Sequence, residues 1–217
     1  MIEGELAMVD DTGSTEHAPL RTALERISPL ALPAWEALAT LIAVREAARG
    51  VHVLRAGEPA THIFFVNRGL LREYYADAAG QEFTRRFCDA GDFSGSLADL
   101  LVSRGALVSI QVLEPSELLV MPWSAIETLA ECEPSLAKLL RRFAELLYIR
   151  KIEREFEMLT LAAGERYRRF VAAQPGIHAR LPRHLVASYL GITPVHLSRI
   201  ASAAGLRTAR ATQAGRK

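Results

Sequence analysis

The chain has 217 residues, half of them hydrophobic, a net charge of +1 and two cysteines. That length can bury a real core and suits one large or two small domains, while Cys88 and Cys132 exclude a four-thiolate zinc or iron–sulfur site within one chain. The six histidines form no H-E-x-x-H pair, so no metal site is expected. With no basic-then-apolar leader and no apolar run near 18 residues, a cytoplasmic protein with no membrane contact is expected.

Residues 1–19 are acidic and polar and lack apolar periodicity, which predicts a mobile tail. "LRTALERISPLALPAWEALATLI" (20–42) predicts short helices broken at Pro29 and Pro33. From about Ala47 to Pro122 the texture changes to β-rich runs divided by Gly, Asp and Asn, as in "GVHVLRAGEPATHIFFVNRGLLREYYADAAGQEFTRRFCDAGDFSGSL" and "ALVSIQVLEPSELLVM". "DAAG" (77–80) separates "LLREYY" from "EFTRRF" as a hairpin loop would. Several short strands at such spacing predict a β-sandwich or barrel.

From Pro134 the period is helical for more than twenty residues. Leu136, Leu140, Phe143 and Leu147, then Ile152, Phe156 and Leu159, alternate spacings of four and three, with one slip between the groups. A stripe this narrow on so long a helix is a core face or a coiled-coil seam. The expected seam of a homodimer is Leu136, Leu140, Phe143, Leu147, Ile152 and Phe156; the alternative is packing onto the chain's own β-domain.

"HLVASYLGITPVHLSRI" (184–200) carries the most specific local pattern. Leu185, Val186, Tyr189 and Leu190 mark one buried helical stripe. Gly191 can take the positive φ that closes a helix, Thr193 can cap the next one, and Pro194 suits its first position. A DNA-reading helix-turn-helix needs a small residue at the helix contact, a glycine four residues on, and apolar residues locking the crossing. Ala187, Gly191, and Val186, Leu190, Ile192, Leu197 and Ile200 fill those places. The charge agrees. Residues 161–217 hold nine arginines and Lys217 against Glu165, a balance of +9, which leaves residues 1–160 at −8. A basic quarter around such a motif is the footprint of a phosphate-binding module.

Taken in order, "LRAGEPATHIFFVNRGLL" (54–71), "DAAGQEF" (77–83), "GDFSGSL" (91–97), "SELLVM" (116–121) and "LPRHLVASYLGITPVHLSRI" (181–200) resemble the Crp/Fnr family of bacterial transcription regulators. The resemblance covers roughly residues 45–204. It implies an α+β chain: a jelly-roll sensory domain of the cyclic-nucleotide-binding kind, a long dimerisation helix and a C-terminal helix-turn-helix. The expected division is tail 1–19, sensory domain 20–132, dimerisation helix 133–160, helix-turn-helix domain 161–204 and basic tail 205–217.

The chain departs from the family pattern in three places. Nucleotide-binding members carry a Gly-Glu pair whose carboxylate holds the ribose; here Gly95 is followed by Ser96 and then Leu97. They also carry an Arg-Ser or Arg-Thr for the cyclic phosphate, where "LVSRGALVSI" offers only Arg104. A phosphate without its arginine is poorly compensated. The strands walling the pocket add Glu73, Arg85 and Arg86, so cyclic nucleotide is not the expected ligand and no cofactor is assigned. Third, "ASAAGLRTARATQAGRK" lacks the alternation of a β-hairpin wing.

The resulting expectation is a cytoplasmic homodimeric regulator that binds double-stranded DNA. Arg199, Val195 and His196 would face base edges, with Thr193 and Arg183 on phosphate. RNA polymerase is a further partner if the protein activates. The alternative is a ligand-binding or scaffolding module of the same fold without a transcriptional role. No enzyme is expected, since neither a nucleophile–base pair nor a G-x-x-x-x-G-K-[ST] loop is found.

Overall fold

The computed structural model describes residues 7–8 and 17–203. Contacts divide them into two units. One runs up to Gln81 and from Arg85 to Ile149; the other comprises Glu82–Thr84 and the residues from Arg150 onward. The division falls inside one long helix.

The first unit begins with β1 (Ala7–Met8), paired antiparallel with β2 (Ala43–Ala47). Of residues 1–19, Ala7–Met8 are thus in a strand and Ala18 opens a helix; the remainder up to residue 16 lies outside the described residues. Helices α1 (Ala18–Ile27) and α2 (Leu32–Ala39) flank Pro29. Pro33 does not break a helix, contrary to the expectation from sequence. It sits in the first turn of α2, where a missing N–H costs nothing.

Strands β3 (His52–Leu54), β4 (His62–Ala76), β5 (Glu82–Asp89), β6 (Phe93–Ser94) and β7 (Ser109–Pro122) complete a seven-stranded sheet. Its order is β1-β2-β7-β4-β5, with β3 also on β7 and β6 on β4. Where the sequence suggests only short strands, β4 and β7 run 15 and 14 residues. They stay paired by shifting register three times between Val66 and Leu71. Gly69 permits the bend: its φ is +109°, and a Cβ there would lie 2.1 Å from Ser116 Oγ.

Both faces of the central strands are buried, which explains the unbroken apolar runs "HIFFV" and "ELLVM". Ile63, Phe65, Leu119 and Met121 pack with Leu20, Leu24, Leu38, Trp123 and Ile126 beneath the helices. Phe64, Val66, Leu118 and Val120, one residue out of phase, pack inside the roll with Val53, Leu71, Cys88 and Ile110. Between β6 and β7 lies α3 (Leu97–Leu101), and after β7 comes α4 (Trp123–Cys132).

Helix α5 (Pro134–Thr160) carries all six residues of the seam expected from sequence, in two different surroundings. Leu136 is only 1 % exposed and belongs to the first core, against which Leu140 also packs. Phe143 meets Phe93 edge-to-face with centroids 5.1 Å apart. Leu136 is thus spoken for within the chain, while Leu140, Phe143 and Leu147 are half-buried. Ile152 and Phe156, by contrast, are 44 % and 57 % exposed.

The second unit continues with α6 (Ala163–Ala173), α7 (Pro175–Arg180), α8 (Arg183–Leu190) and α9 (Pro194–Ala203). Its core is built on Tyr167, Phe170, Ile177, Leu185, Val186, Ala187, Leu190, Leu197 and Ala201. The missing wing expected from sequence falls on residues beyond 203, outside the described residues. Among the described residues no helix is long and apolar enough to cross a membrane.

Candidate functional site

The turn between α8 and α9 is built as its residues require. Gly191 has φ +66° and ψ 37°, a left-handed conformation that closes α8. Ile192 N–H donates to Ala187 O at 3.0 Å and Gly191 N–H to Ser188 O at 3.1 Å, the paired bonds of a Schellman-type helix end. Thr193 Oγ1 accepts from His196 N–H at 3.2 Å and caps α9, whose first residue is Pro194. Ala187 is fully buried, which lets the two helices approach closely.

This geometry sorts the residues of α9. Leu197 and Ala201 face inward, while Val195, His196, Arg199 and Ser202 are exposed. Thr193 and Arg183 are exposed as well. Of the five residues expected to contact DNA, Thr193, Val195 and His196 lie at the start of α9, Arg199 lies at its middle, and Arg183 opens α8.

The candidate effector residues resolve into two clusters inside the first unit. In one, Glu73 is almost wholly buried on β4. Ser94 Oγ–H donates to its Oε1 at 2.8 Å, the Cys88 thiol approaches the same oxygen at 3.6 Å, and Arg85 Nη1 lies 3.2 Å from Oε2. Burial pushes the Cys88 thiol well up, and the Glu73 charge adds to that, so Cys88 is an S–H donor rather than a thiolate. Arg86 donates to Asp92 Oδ1 and to Phe93 O, both at 3.1 Å.

Gly95 leads from Ser94 to the second cluster. Its centre is Asp99, a buried carboxylate that the sequence reading missed. Ser96 Oγ–H, Arg104 Nε–H at 2.5 Å and Leu107 N–H at 2.9 Å all donate to it. Burial alone would raise the Asp99 carboxyl, but the Ser96, Leu107 and Arg104 donors outweigh it and hold the pKa below the usual carboxylate value. Leu97 takes no part and packs on the first core. Ser96 and Arg104 are therefore brought together, but around a carboxylate of the chain itself.

Comparison with known proteins matches residues 44–132 to the cyclic nucleotide-binding domain family. Among solved structures, FixK2 from Bradyrhizobium japonicum superposes with a TM-score of 0.66 at 19 % identity, covering 76 % of this chain and 84 % of that one. The c-di-GMP-responsive global regulator CLP of Xanthomonas campestris gives 0.63 at 17 % identity, covering 83 % and 96 %. The catabolite activator protein of Thermus thermophilus gives 0.54 at 21 %, covering 84 % and 86 %. The chain has the Crp/Fnr fold. No curated protein sequence matches it.

The residues where the family resemblance expects nucleotide contacts are engaged within the chain itself. Ser96, where the resemblance expects a ribose-holding carboxylate, already donates its hydroxyl to Asp99, and Arg104, the arginine of the expected phosphate segment, is held by Asp99. An entering phosphate would meet the Asp99 charge as a like charge. Arg154 and Arg166 were also missed from sequence. Both reach the carbonyls at the end of α8, though on charged helices they read as solvated side chains.

Proposed function

We propose that the chain is a DNA-binding transcription regulator of the Crp/Fnr type, acting as a homodimer. The observation that carries this reading is the exposed face of α9, with Val195, His196 and Arg199 standing clear of a helix locked from behind by Leu197 and Ala201. A helix presented in this way fits a major groove about 12 Å wide. Arg199 can give guanine a bidentate contact, and Val195 can meet a thymine methyl. Thr193 and Arg183 serve phosphates, which fix register without reading sequence. The +9 balance of residues 161–217 supplies the sequence-independent attraction.

We infer that the dimer seam runs along the solvent-facing stripe of α5: Ile149, Ile152, Phe156 and Leu159, at spacings of three, four and three, with Tyr148 beside them. All are exposed, Leu159 by 78 %. An a/d repeat of this kind is what a two-stranded seam needs. Two copies joined there would present recognition helices to half-sites about 34 Å apart. The sensory domain would take an effector other than a cyclic nucleotide, because Asp99 supplies the anion that Arg104 would otherwise bind. RNA polymerase is a partner if the regulator activates.

Fluorescence anisotropy with duplex from the protein's own upstream region tests the reading. Log affinity should fall by about 0.9 per neutralised phosphate for each decade of salt, giving a slope of several units. Arg199→Ala should cost about 1–3 kcal/mol on the specific site and relax one base preference. Removing residues 207–217, with Arg207, Arg210, Arg216 and Lys217, should weaken all sequences alike. An equal loss on specific and random DNA from Arg199→Ala would make Arg199 a phosphate clamp instead.

A further inference from the structure

The last carbonyls of an α-helix have no partner within the helix and carry its negative end. At the end of α8, immediately before the Gly191 turn, two of these carbonyls are taken by arginines from other helices. Arg154 of α5 donates from Nη2 to Tyr189 O and lays its guanidinium over the Tyr189 ring, 4.0 Å from the centroid. Arg166 of α6 donates to Leu190 O from Nε at 3.2 Å and from Nη2 at 2.9 Å, while its Nη1 holds Leu161 O at 2.5 Å. The turn itself abuts α5: a Cβ at Gly191 would come within 2.7 Å of Met158 Cε. Phe170 also packs on Tyr189, with centroids 5.0 Å apart.

Arg154 is suited to this task in a way lysine is not, since a planar guanidinium can stack and donate at once. Its position on α5 matters equally. At about 3.6 residues per turn, Phe156 lies roughly half a turn around the helix from Arg154. Ile152 and Leu159 share the Phe156 side, and all three are exposed. One short length of helix therefore carries an unpartnered apolar stripe on one side and the grip on the helix-turn-helix on the other.

We infer that Arg154 is a positioning residue: it fixes α8, the turn and α9 to the 150–160 segment of α5. Contact between two copies through the opposite face of that segment would then set the separation of the two recognition helices. The consequence for DNA rests on the regulator reading above, but the grip itself is measurable without DNA.

The test uses the full chain with spin labels at Lys151 and Val195, both exposed, in a Cys132→Ser background, because Cys132 is exposed while Cys88 is buried. Labelled protein is diluted with unlabelled protein so that each pair of chains carries one labelled copy. Pulsed electron–electron resonance should give one narrow distance distribution for the parent. Arg154→Leu, confirmed folded by circular dichroism, should broaden it by about twofold or more, and Tyr189→Leu should do the same. The double variant should be no broader than either single one, since both remove one interaction. Arg154→Lys should fall between parent and Arg154→Leu.

On two-fold duplexes with varied half-site spacing, Arg154→Leu should lose about tenfold preference for the best spacing while keeping its affinity for a single half-site. An unchanged distance distribution in Arg154→Leu overturns the inference, as does equal loss on half-site and full-site DNA. A broadened distribution, with a parent that binds no duplex at all, leaves the grip standing and overturns the regulator reading.

Discussion

Phe156 and Leu136 lie on one helix and are both apolar, yet their replacement should have opposite consequences. Fully burying a large apolar side chain contributes about 1.5–3 kcal/mol. Phe156 is 57 % exposed, so covering it in a dimer leaves about 1–1.5 kcal/mol per chain, or about 2–3 kcal/mol per dimer. Phe156→Ala should therefore raise the dimer Kd by roughly 30- to 150-fold at nearly unchanged thermal stability. Phe156→Asp should go further, because each carboxylate would enter the seam without a partner. Leu136 is 1 % exposed and already spent on the chain's own core. Leu136→Ala should cost the fold about 2–5 kcal/mol and leave the dimer Kd as it was. Sedimentation velocity over a concentration series, paired with thermal melts, separates the two effects. A dimer that dissociates on Leu136→Ala and survives Phe156→Asp would refute this assignment of the two faces.

Asp99→Asn should destabilise the first unit by about 1–3 kcal/mol, since Arg104 and Ser96 lose a charged acceptor. Because the Asp99 pKa is held below its unfolded value of 3.8, its contribution should be present above that value and fade as pH falls through the folded one; urea melts along an acid series read this. Calorimetry with cyclic AMP should show no binding at micromolar concentration, and a micromolar isotherm would overturn the account of the Asp99 cluster. His178 accepts or donates across 3.0 Å to the buried Tyr167 hydroxyl, and burial lowers its pKa from 6.5. Its neutral form is thus favoured by folding, so stability should be flat above about pH 6.5 and decline below it. His62 is lowered too, by burial and by Arg45, and adds a loss of the same sign. The difference in pH dependence between parent and His178→Gln isolates the His178 share; identical curves would show that His178 contributes none.

What the sequence disclosed and what it hid have a common physical reason. The helix-turn-helix was legible because its determinants are local: Gly191 has to be left-handed, Thr193 has to cap, and Ala187 has to be small, each within four residues of the next. The paired apolar runs of β4 and β7 were legible as strands, but their length was not, because Gly69 reads as a turn when it is a bend inside a continuous strand. On α5 the periodicity showed a stripe without saying what it touches. Leu136, Leu140 and Phe143 keep one face and Ile152, Phe156 and Leu159 keep another. The five-residue step from Leu147 to Ile152 was the only mark of the exchange. Asp99 escaped notice because its partner Arg104 is brought back to it by a short helix and a loop, and no spacing rule covers that return.

Selection of duplexes from a random library by the full-length protein tests the central claim most directly. The account predicts enrichment of two related half-sites in two-fold arrangement, centred about one helical turn (roughly 34 Å) apart. Arg199→Ala should flatten one base position in each half while leaving the spacing intact. A library that emerges unenriched at low salt, with and without candidate effectors, would contradict the account and leave a ligand-binding or scaffolding module of the same fold in its place.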